Sequence, residues 1–447
     1  METKKGTLNE IQKMSFLEEE LDWLRNILET IRRKGTEEES KYSNIYDIPL
    51  SFLRDDCTYG KTVTNFGFGF EERLILILSL APHLQPSLLD VFKLDKIPSC
   101  FGGIVGRGNA FIPTGETLMF ILSENNVNKR AQLLRFFDKE HAFYKDNLVS
   151  LEEPLSGDPE VSGALIPSKD LIDIVLRGYI RKPDLRPDFP AKLLSTEMKW
   201  EDIVLPSATL NQLNEIELWL QHNQALANDN KIGKKIKPGF RALFYGPPGT
   251  GKTLSACLIG KKTGRDVYRV DLSTIVSKYI GETEKNLAKL FDRAERKDWI
   301  LFFDEADALF GKRTNVSDSH DRYANQEVSY LLQRIEYHEG LVILATNMKN
   351  NMDSAFLRRF QSIVYFPSPK SEERLLLWQK AFSDSIPADK NIALADIAKK
   401  YELSGSLILN IVSHTTLKAI NENSPVITNS MLMEGISREL AKEGRTV

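Results

Sequence analysis

Gly246-Pro247-Pro248-Gly249-Thr250-Gly251-Lys252-Thr253 is the stretch on which the reading of this chain turns. It satisfies G-x-x-x-x-G-K-[ST] in the context that pattern needs, with the apolar run Ala242 to Tyr245 before it and the helical Leu254-Ser255-Ala256-Cys257-Leu258-Ile259 after it. Glycines let backbone amides turn toward phosphate oxygens with no Cβ in the way, and a helix starting there adds its N-terminal dipole. Lys252 is positioned to reach the β- and γ-phosphates of a nucleotide, and the Thr253 hydroxyl to ligate Mg²⁺. Gly246 through Leu254 are therefore the expected nucleotide-binding set. With typical residue frequencies the pattern arises by chance in roughly one chain in a hundred of this length.

Outward from that loop, further short apolar runs follow at Val267 to Val270, Ile300 to Phe303, Leu341 to Ala345 and Ile363 to Phe366, each separated by a helical stretch. Such alternation implies a parallel sheet with helices on both faces, and ligands then bind at the carboxyl ends of the strands. The run Ile300 to Phe303 ends in Asp304-Glu305. There the first carboxylate meets the Mg²⁺ shell and the second orients and polarises a water for hydrolysis. The run Leu341 to Ala345 leads into Thr346-Asn347, which places an amide where it could position the same water.

A length of 447 residues implies two to four domains. The 59 basic and 62 acidic side chains nearly balance, so no charge excess steers the protein to nucleic acid. No uninterrupted apolar run is longer than Leu74 to Leu78, far short of the ~20 residues that cross a bilayer, and Met1-Glu2-Thr3-Lys4-Lys5 begins no apolar signal segment. Cys57, Cys100 and Cys257 lie far apart and make no disulfide framework. The expectation is a soluble cytoplasmic protein without membrane insertion.

Upstream, Leu8, Ile11, Leu17, Leu21, Leu24, Leu28 and Ile31 form one apolar stripe of a helix that should dock on its own domain. Short helical stretches at Glu71 to Ala81, Lys129 to Phe137 and Ser168 to Leu176 predict a small, mainly helical domain. The glycines of Gly102-Gly103-Ile104-Val105-Gly106-Arg107-Gly108 miss the dinucleotide pattern and read as a turn or hairpin. Pro183, Pro187 and Pro190 mark a linker, and Lys231, Lys234, Lys235 and Lys237, with no interleaved aromatics, a solvated one. The expected division is an N-terminal helix at 1–35, an N-terminal domain at 36–195, a P-loop subdomain at 196–368 and a helical subdomain at 369–447.

These residues carry a family resemblance: the region from Trp200 to Lys442 resembles an AAA+ ATPase module. Gly246 to Thr253 resembles its Walker A motif, Ile300 to Asp307 its Walker B and Ala345-Thr346-Asn347 its sensor 1. The resemblance implies a parallel five-stranded P-loop sheet with a small helical lid, and ATP and Mg²⁺ as cofactors. Asp353-Ser354-Ala355-Phe356-Leu357-Arg358-Arg359-Phe360 is similar to the second region of homology, whose paired arginines act on a neighbour's γ-phosphate. That implies Arg358 and Arg359 working in trans within a homo-oligomer, a hexameric ring. Ser277 to Asn286 resembles pore loop 1 of protein-remodelling rings, with Lys278, Tyr279 and Ile280 gripping an extended polypeptide, and Lys312 to Arg322 stands where pore loop 2 lies. Leu403-Ser404-Gly405-Ser406-Leu407-Ile408 resembles the start of the sensor 2 helix without its arginine, a departure shared with the katanin and spastin branch. The lid then meets nucleotide through backbone and packing around Gly405.

Phe66-Gly67-Phe68-Gly69-Phe70-Glu71-Glu72-Arg73-Leu74, with Leu80-Ala81-Pro82, resembles the winged-helix-like N-terminal region of bacterial AAA+ ATPases associated with contractile injection systems. Asp304 to Arg313 and Asp321-Arg322-Tyr323-Ala324-Asn325 resemble the same subgroup. A motor that remodels, unfolds or disassembles a protein client, with tail-like injection particle proteins as candidates, is thus expected. The rivals are a nucleotide-gated adaptor and a DNA-acting motor. The balanced charge and the lack of a basic recognition helix favour protein over DNA.

Overall fold

In the computed structural model of the chain, the described residues are 2–34, 41–51, 58–93, 103–105, 111–123, 126–154, 156–186, 189–229, 231, 233–237, 239–270, 282–306, 329–347, 357–442 and 444. They form two units, Met1–Arg181 and Lys182–Val447. No single helix among them is long and apolar enough to cross a membrane.

The first unit contains α1 (Glu2–Lys34), α2 (Thr58–Phe66), α3 (Phe70–Leu84), β1 (Ile104–Val105), β2 (Phe111–Ile112), α4 (Gly115–Ser123), α5 (Val127–Leu134), α6 (Ala142–Lys145), β3 (Val149–Leu151), β4 (Leu165–Pro167) and α7 (Lys169–Arg177). Leu21, Leu24, Ile27 and Leu28 of α1 are buried in one core with Leu74 to Leu78 of α3, so the helix docks on its own domain as its stripe implies, and 1–35 is not a division apart from this unit. Arg73 of α3 is 2% exposed and forms an ion pair with Glu20 of α1, with the Ser51 hydroxyl 2.6 Å from each side chain. The Arg73 guanidinium also lies over the Trp23 ring. Phe66 to Phe70 makes the corner between α2 and α3: Phe68 is buried, and Phe70 meets the Trp23 ring edge-on at 5.2 Å. β1 and β2 pair antiparallel, Ile104 opposite Ile112, as arms of the expected hairpin.

The second unit is built on β5 (Ala191–Leu194), α8 (Ser207–Ala227), β6 (Phe240–Tyr245), α9 (Lys252–Thr263), β7 (Val267–Val270), α10 (Glu282–Arg296), β8 (Ile300–Phe303), a helical stretch at 329–337, β9 (Leu341–Thr346) and β10 (Ser362–Tyr365). Strand order is β10-β6-β9-β8-β7-β5, parallel except that β5 runs antiparallel to β7. The sheet therefore has six described strands where five were expected. Ala191–Leu194, assigned to the N-terminal domain by the expected boundary at 195, belongs to this sheet, and the units divide after residue 181. The reason is tertiary: backbone pairing with Val267–Val270 makes a strand of four residues whose own sequence is only weakly strand-like.

All residues of β8 and β9 are buried, as two-sided coverage requires. Alternation sends Leu301, Phe303, Val342 and Leu344 toward α10 and the 329–337 helix, and Ile300, Phe302, Ile343 and Ala345 toward α8 and α9. The lid follows as α11 (Ser371–Ala381), α12 (Leu394–Lys400), α13 (Gly405–Asn421) and α14 (Asn429–Lys442) around Trp378, Ile408, Ile411 and Leu432. Arg374, buried in α11, donates to the carbonyls of Ala398 and Pro369 at 2.7 and 2.6 Å and thereby ties α11 to α12.

Candidate active site

Strand register brings the motif residues together. Tyr245 stands opposite Thr346 and Phe303 opposite Leu344, so β6, β8 and β9 end at one edge of the sheet. Two backbone bonds fix that edge, Gly246 N–H to Thr346 O at 3.3 Å and Ala306 N–H to Ala345 O at 2.9 Å. Gly246, Asp304 and Asn347 are the residues that leave these three ends.

Between the loop and the lid lies a cavity of about 570 Å³, lined by Pro248 through Leu254, Asp304, Glu305, Asn347 and Gly405 among others. Lys252 opens α9 and is 8% exposed. Its ammonium donates to the carbonyls of Gly246 at 2.7 Å and Pro247 at 2.9 Å, and to Asn347 Oδ1 at 2.9 Å. Thr250 Oγ1 donates to Pro247 O at 2.9 Å and tightens the turn. Gly249 has φ +73, and a Cβ built on it would lie 1.9 Å from Ser406 Oγ, so this residue must be glycine both for its backbone and for the lid that sits on it. The α13 terminus touches the loop directly, Ser406 N–H donating to Gly249 O at 3.3 Å.

Asp304 is half-buried and accepts the Glu305 N–H at 3.0 Å. Glu305 is exposed and has φ 51, a left-handed backbone uncommon for a residue with a Cβ. The sequence-expected set Gly246 through Leu254, Asp304, Glu305, Asn347 and Gly405 thus converges on one cavity or its immediate margin. Thr253 and Asp304, both lining it, offer hard oxygen donors of the kind Mg²⁺ takes.

The two arginines differ. Arg359 forms an ion pair with Glu336 at 3.2 Å, and Glu336 also holds Lys237 at 2.5 Å. The Lys237 bond first, then the nearby arginines, hold the Glu336 carboxyl below its ordinary value. Arg241, buried on β6, donates to Glu336 O at 2.7 Å, and burial lowers its pKa. Arg358 is exposed and makes no ion pair among the described residues. Lys278, Tyr279 and Ile280 and the stretch Lys312 to Arg322 lie outside the described residues.

Sequence reasoning missed the apolar wall of the cavity. Ile203 and Leu205, extended ahead of α8, face Leu377 of α11 and Ile408 and Leu409 of α13 across it. Lys380 of α11 reaches the Glu201 carbonyl and joins the same two segments. A signal existed in Ile203-Val204-Leu205-Pro206, an apolar run stopped by a proline at a helix start. Such a wall suits a flat heterocycle beside a phosphate cradle.

Residues 242–368, which hold the P-loop and the strand ends around it, match the family described as ATPase family associated with various cellular activities (AAA). Over 253 residues, 55% of the chain, it is 31% identical to 33% of a cell division cycle protein 48 homolog of Archaeoglobus fulgidus. Over 238 residues, 51% of the chain, it is 34% identical to 53% of a proteasome-activating nucleotidase of Methanoregula boonei. Over 251 residues, 55% of the chain, it is 27% identical to 48% of the ATP-dependent zinc metalloprotease FtsH 2 of a Thermoanaerobacter species. The chain thus spans a third to about half the length of these curated relatives.

Proposed function

We propose that this protein is a Mg²⁺-dependent AAA+ ATPase that couples ATP hydrolysis to remodelling of a protein client. The observation that carries the reading is the convergence of Lys252, Asp304, Glu305 and Asn347 on a cavity closed by the lid, with Lys252 Nζ 2.9 Å from Asn347 Oδ1. The loop and the apolar wall fit a nucleotide, and Thr253 and Asp304 fit its metal. Bound Mg²⁺ supplies positive charge to the phosphate oxygens. Lys252 adds charge where negative charge builds, Asn347 orients the attacking water, and Glu305 accepts its proton. An arginine from a neighbouring copy completes the constellation; exposed Arg358 fits that role better than Arg359, which Glu336 already holds. Such a finger is worth about 10³ to 10⁵ in turnover, which makes a ring, read here as a hexamer, part of the catalyst.

Remodelling of a client is supported by the similarity to AAA proteins named for proteasome activation and protein cleavage. Tyr279 and Ile280 are the gripping pair in this reading, and the N-terminal unit selects the client, with contractile injection particle proteins as the first candidates through its winged-helix-like resemblance. Glu305→Gln is the direct test. Turnover should fall by about 10² to 10⁴ while ATP binding and assembly persist. Full turnover in that variant removes Glu305 from the chemistry. In ATP and Mg²⁺ the same variant should retain its client for mass spectrometry, with Lys252→Ala as the control that retains none.

A further inference from the structure

Lys261 and Lys262 lie in the last turn of α9 and hold different parts of the chain. Lys262 donates to the Glu217 carboxylate of α8 at 2.5 Å, and its ammonium lies 5.6 Å from the centre of the Trp200 ring. Lys261 donates to three successive carbonyls, those of Thr196, Glu197 and Met198, at 3.2, 3.2 and 3.1 Å.

In an extended strand such as β5 successive residues face opposite ways, so three carbonyls in a row that meet at one point need a turn. Thr196 supplies it, its hydroxyl accepting the Met198 N–H at 3.2 Å. Oxygens gathered in this way repel one another, and a cation at their meeting point offsets the repulsion. The chain then runs into the wall of the nucleotide cavity. Lys199 N–H donates to Asp202 Oδ2 at 2.7 Å and Asp202 N–H to Lys199 O at 3.0 Å, which closes the next turn. Met198, Asp202, Ile203 and Leu205 line the cavity, and Lys261 does not. The helix that begins at the phosphate cradle with Lys252 therefore ends, about 14 Å along its axis, on the segment that forms the apolar wall.

We propose that Lys261 is a positioning residue for the nucleotide: it holds the turn at 196–198, and with it the wall on which the base lies, while Lys252 serves the phosphates. The inference rests on the nucleotide reading of this cavity and adds a residue to it. Without the ammonium the three carbonyls turn apart toward water, and Met198 leaves the wall with them. The two halves of the nucleotide then suffer unequally. Contacts on the base side weaken, and those to the phosphates, made at the other end of α9, persist.

The test compares MgATP with magnesium tripolyphosphate, which has the phosphates and no base, by isothermal titration calorimetry on the full chain carrying Glu305→Gln. Lys261→Met keeps the stem of the side chain and removes its donors. It should raise the dissociation constant of MgATP about five- to twentyfold and leave that of tripolyphosphate within about twofold. With Glu305 restored, the same variant should raise KM by a similar factor and leave kcat within about twofold. In a Met198→Ala background Lys261→Met should cost less than about threefold more, because both changes act on one contact. An unchanged MgATP constant overturns the proposal, as does an undiminished loss in the Met198→Ala background. An equal loss of MgATP and tripolyphosphate overturns it too, by making Lys261 a support of the whole unit. A parent that binds neither ligand overturns the nucleotide reading itself.

Discussion

Arg73 and Lys252 are both buried cations, 2% and 8% exposed, yet their surroundings are built to different ends. Arg73 meets the Glu20 carboxylate, the Ser51 hydroxyl and the Trp23 ring, partners the fold itself supplies. Burial pushes the Glu20 carboxyl above its ordinary value against the pull of Arg73 and Ser51, so the charge is held there at a cost. Lys252 donates to three neutral oxygens in the wall of an open cavity, an arrangement that admits an anion. The first cation fastens α1 to α3 permanently. The second is arranged for a ligand.

Removing each partner should separate the two designs. Glu20→Ala strands Arg73 in an apolar core and should cost about 3 to 5 kcal/mol in urea unfolding of the N-terminal unit. Replacing both members, Glu20→Leu with Arg73→Met, should recover most of that loss, because the unpaired charge goes with the carboxylate. A single-variant cost near the ~1 kcal/mol of an exposed pair would mean the pair is not buried in solution and would end the comparison.

Lys252→Ala should instead lose about 2 to 5 kcal/mol of ATP-analogue affinity with little change in the melting of the second unit. A large fall in melting temperature would make Lys252 a structural cation after all. Smallest is Gly249→Ala, about 1 to 2 kcal/mol from the left-handed backbone, joined by the 1.9 Å approach to Ser406 Oγ. Adding Ser406→Gly should relieve the contact and leave the backbone part; calorimetry on the pair separates the two.

The glycines of the P-loop, the apolar runs of the sheet and the polar residues that end them were legible because each is encoded locally. The strand that follows Pro190 was not, because Ala191-Lys192-Leu193-Leu194 becomes a strand only when Val267–Val270 lies beside it. Pairing across long stretches of chain hid other features in the same way. Glu20 finds Arg73, and Glu336 finds Arg359, only in three dimensions. The cavity wall at Ile203 and Leu205 was hidden because its other half comes from the lid. The arginine pair looked uniform in sequence, and only the geometry distinguishes its members.

The antiparallel strand has a practical meaning for anyone cutting this protein into pieces. β5 is the last described strand on its side of the sheet, and its exposed Lys192 suits an edge that must not recruit another chain. A fragment starting at Thr196 would strip it away and lay open the hydrogen-bonding rim of β7, whose Val267, Tyr268 and Val270 are buried. Such a rim is a template for intermolecular sheet growth. A fragment starting at Lys182 keeps its guard strand, so the solubility of the isolated second unit depends on fourteen residues that take no part in the candidate site.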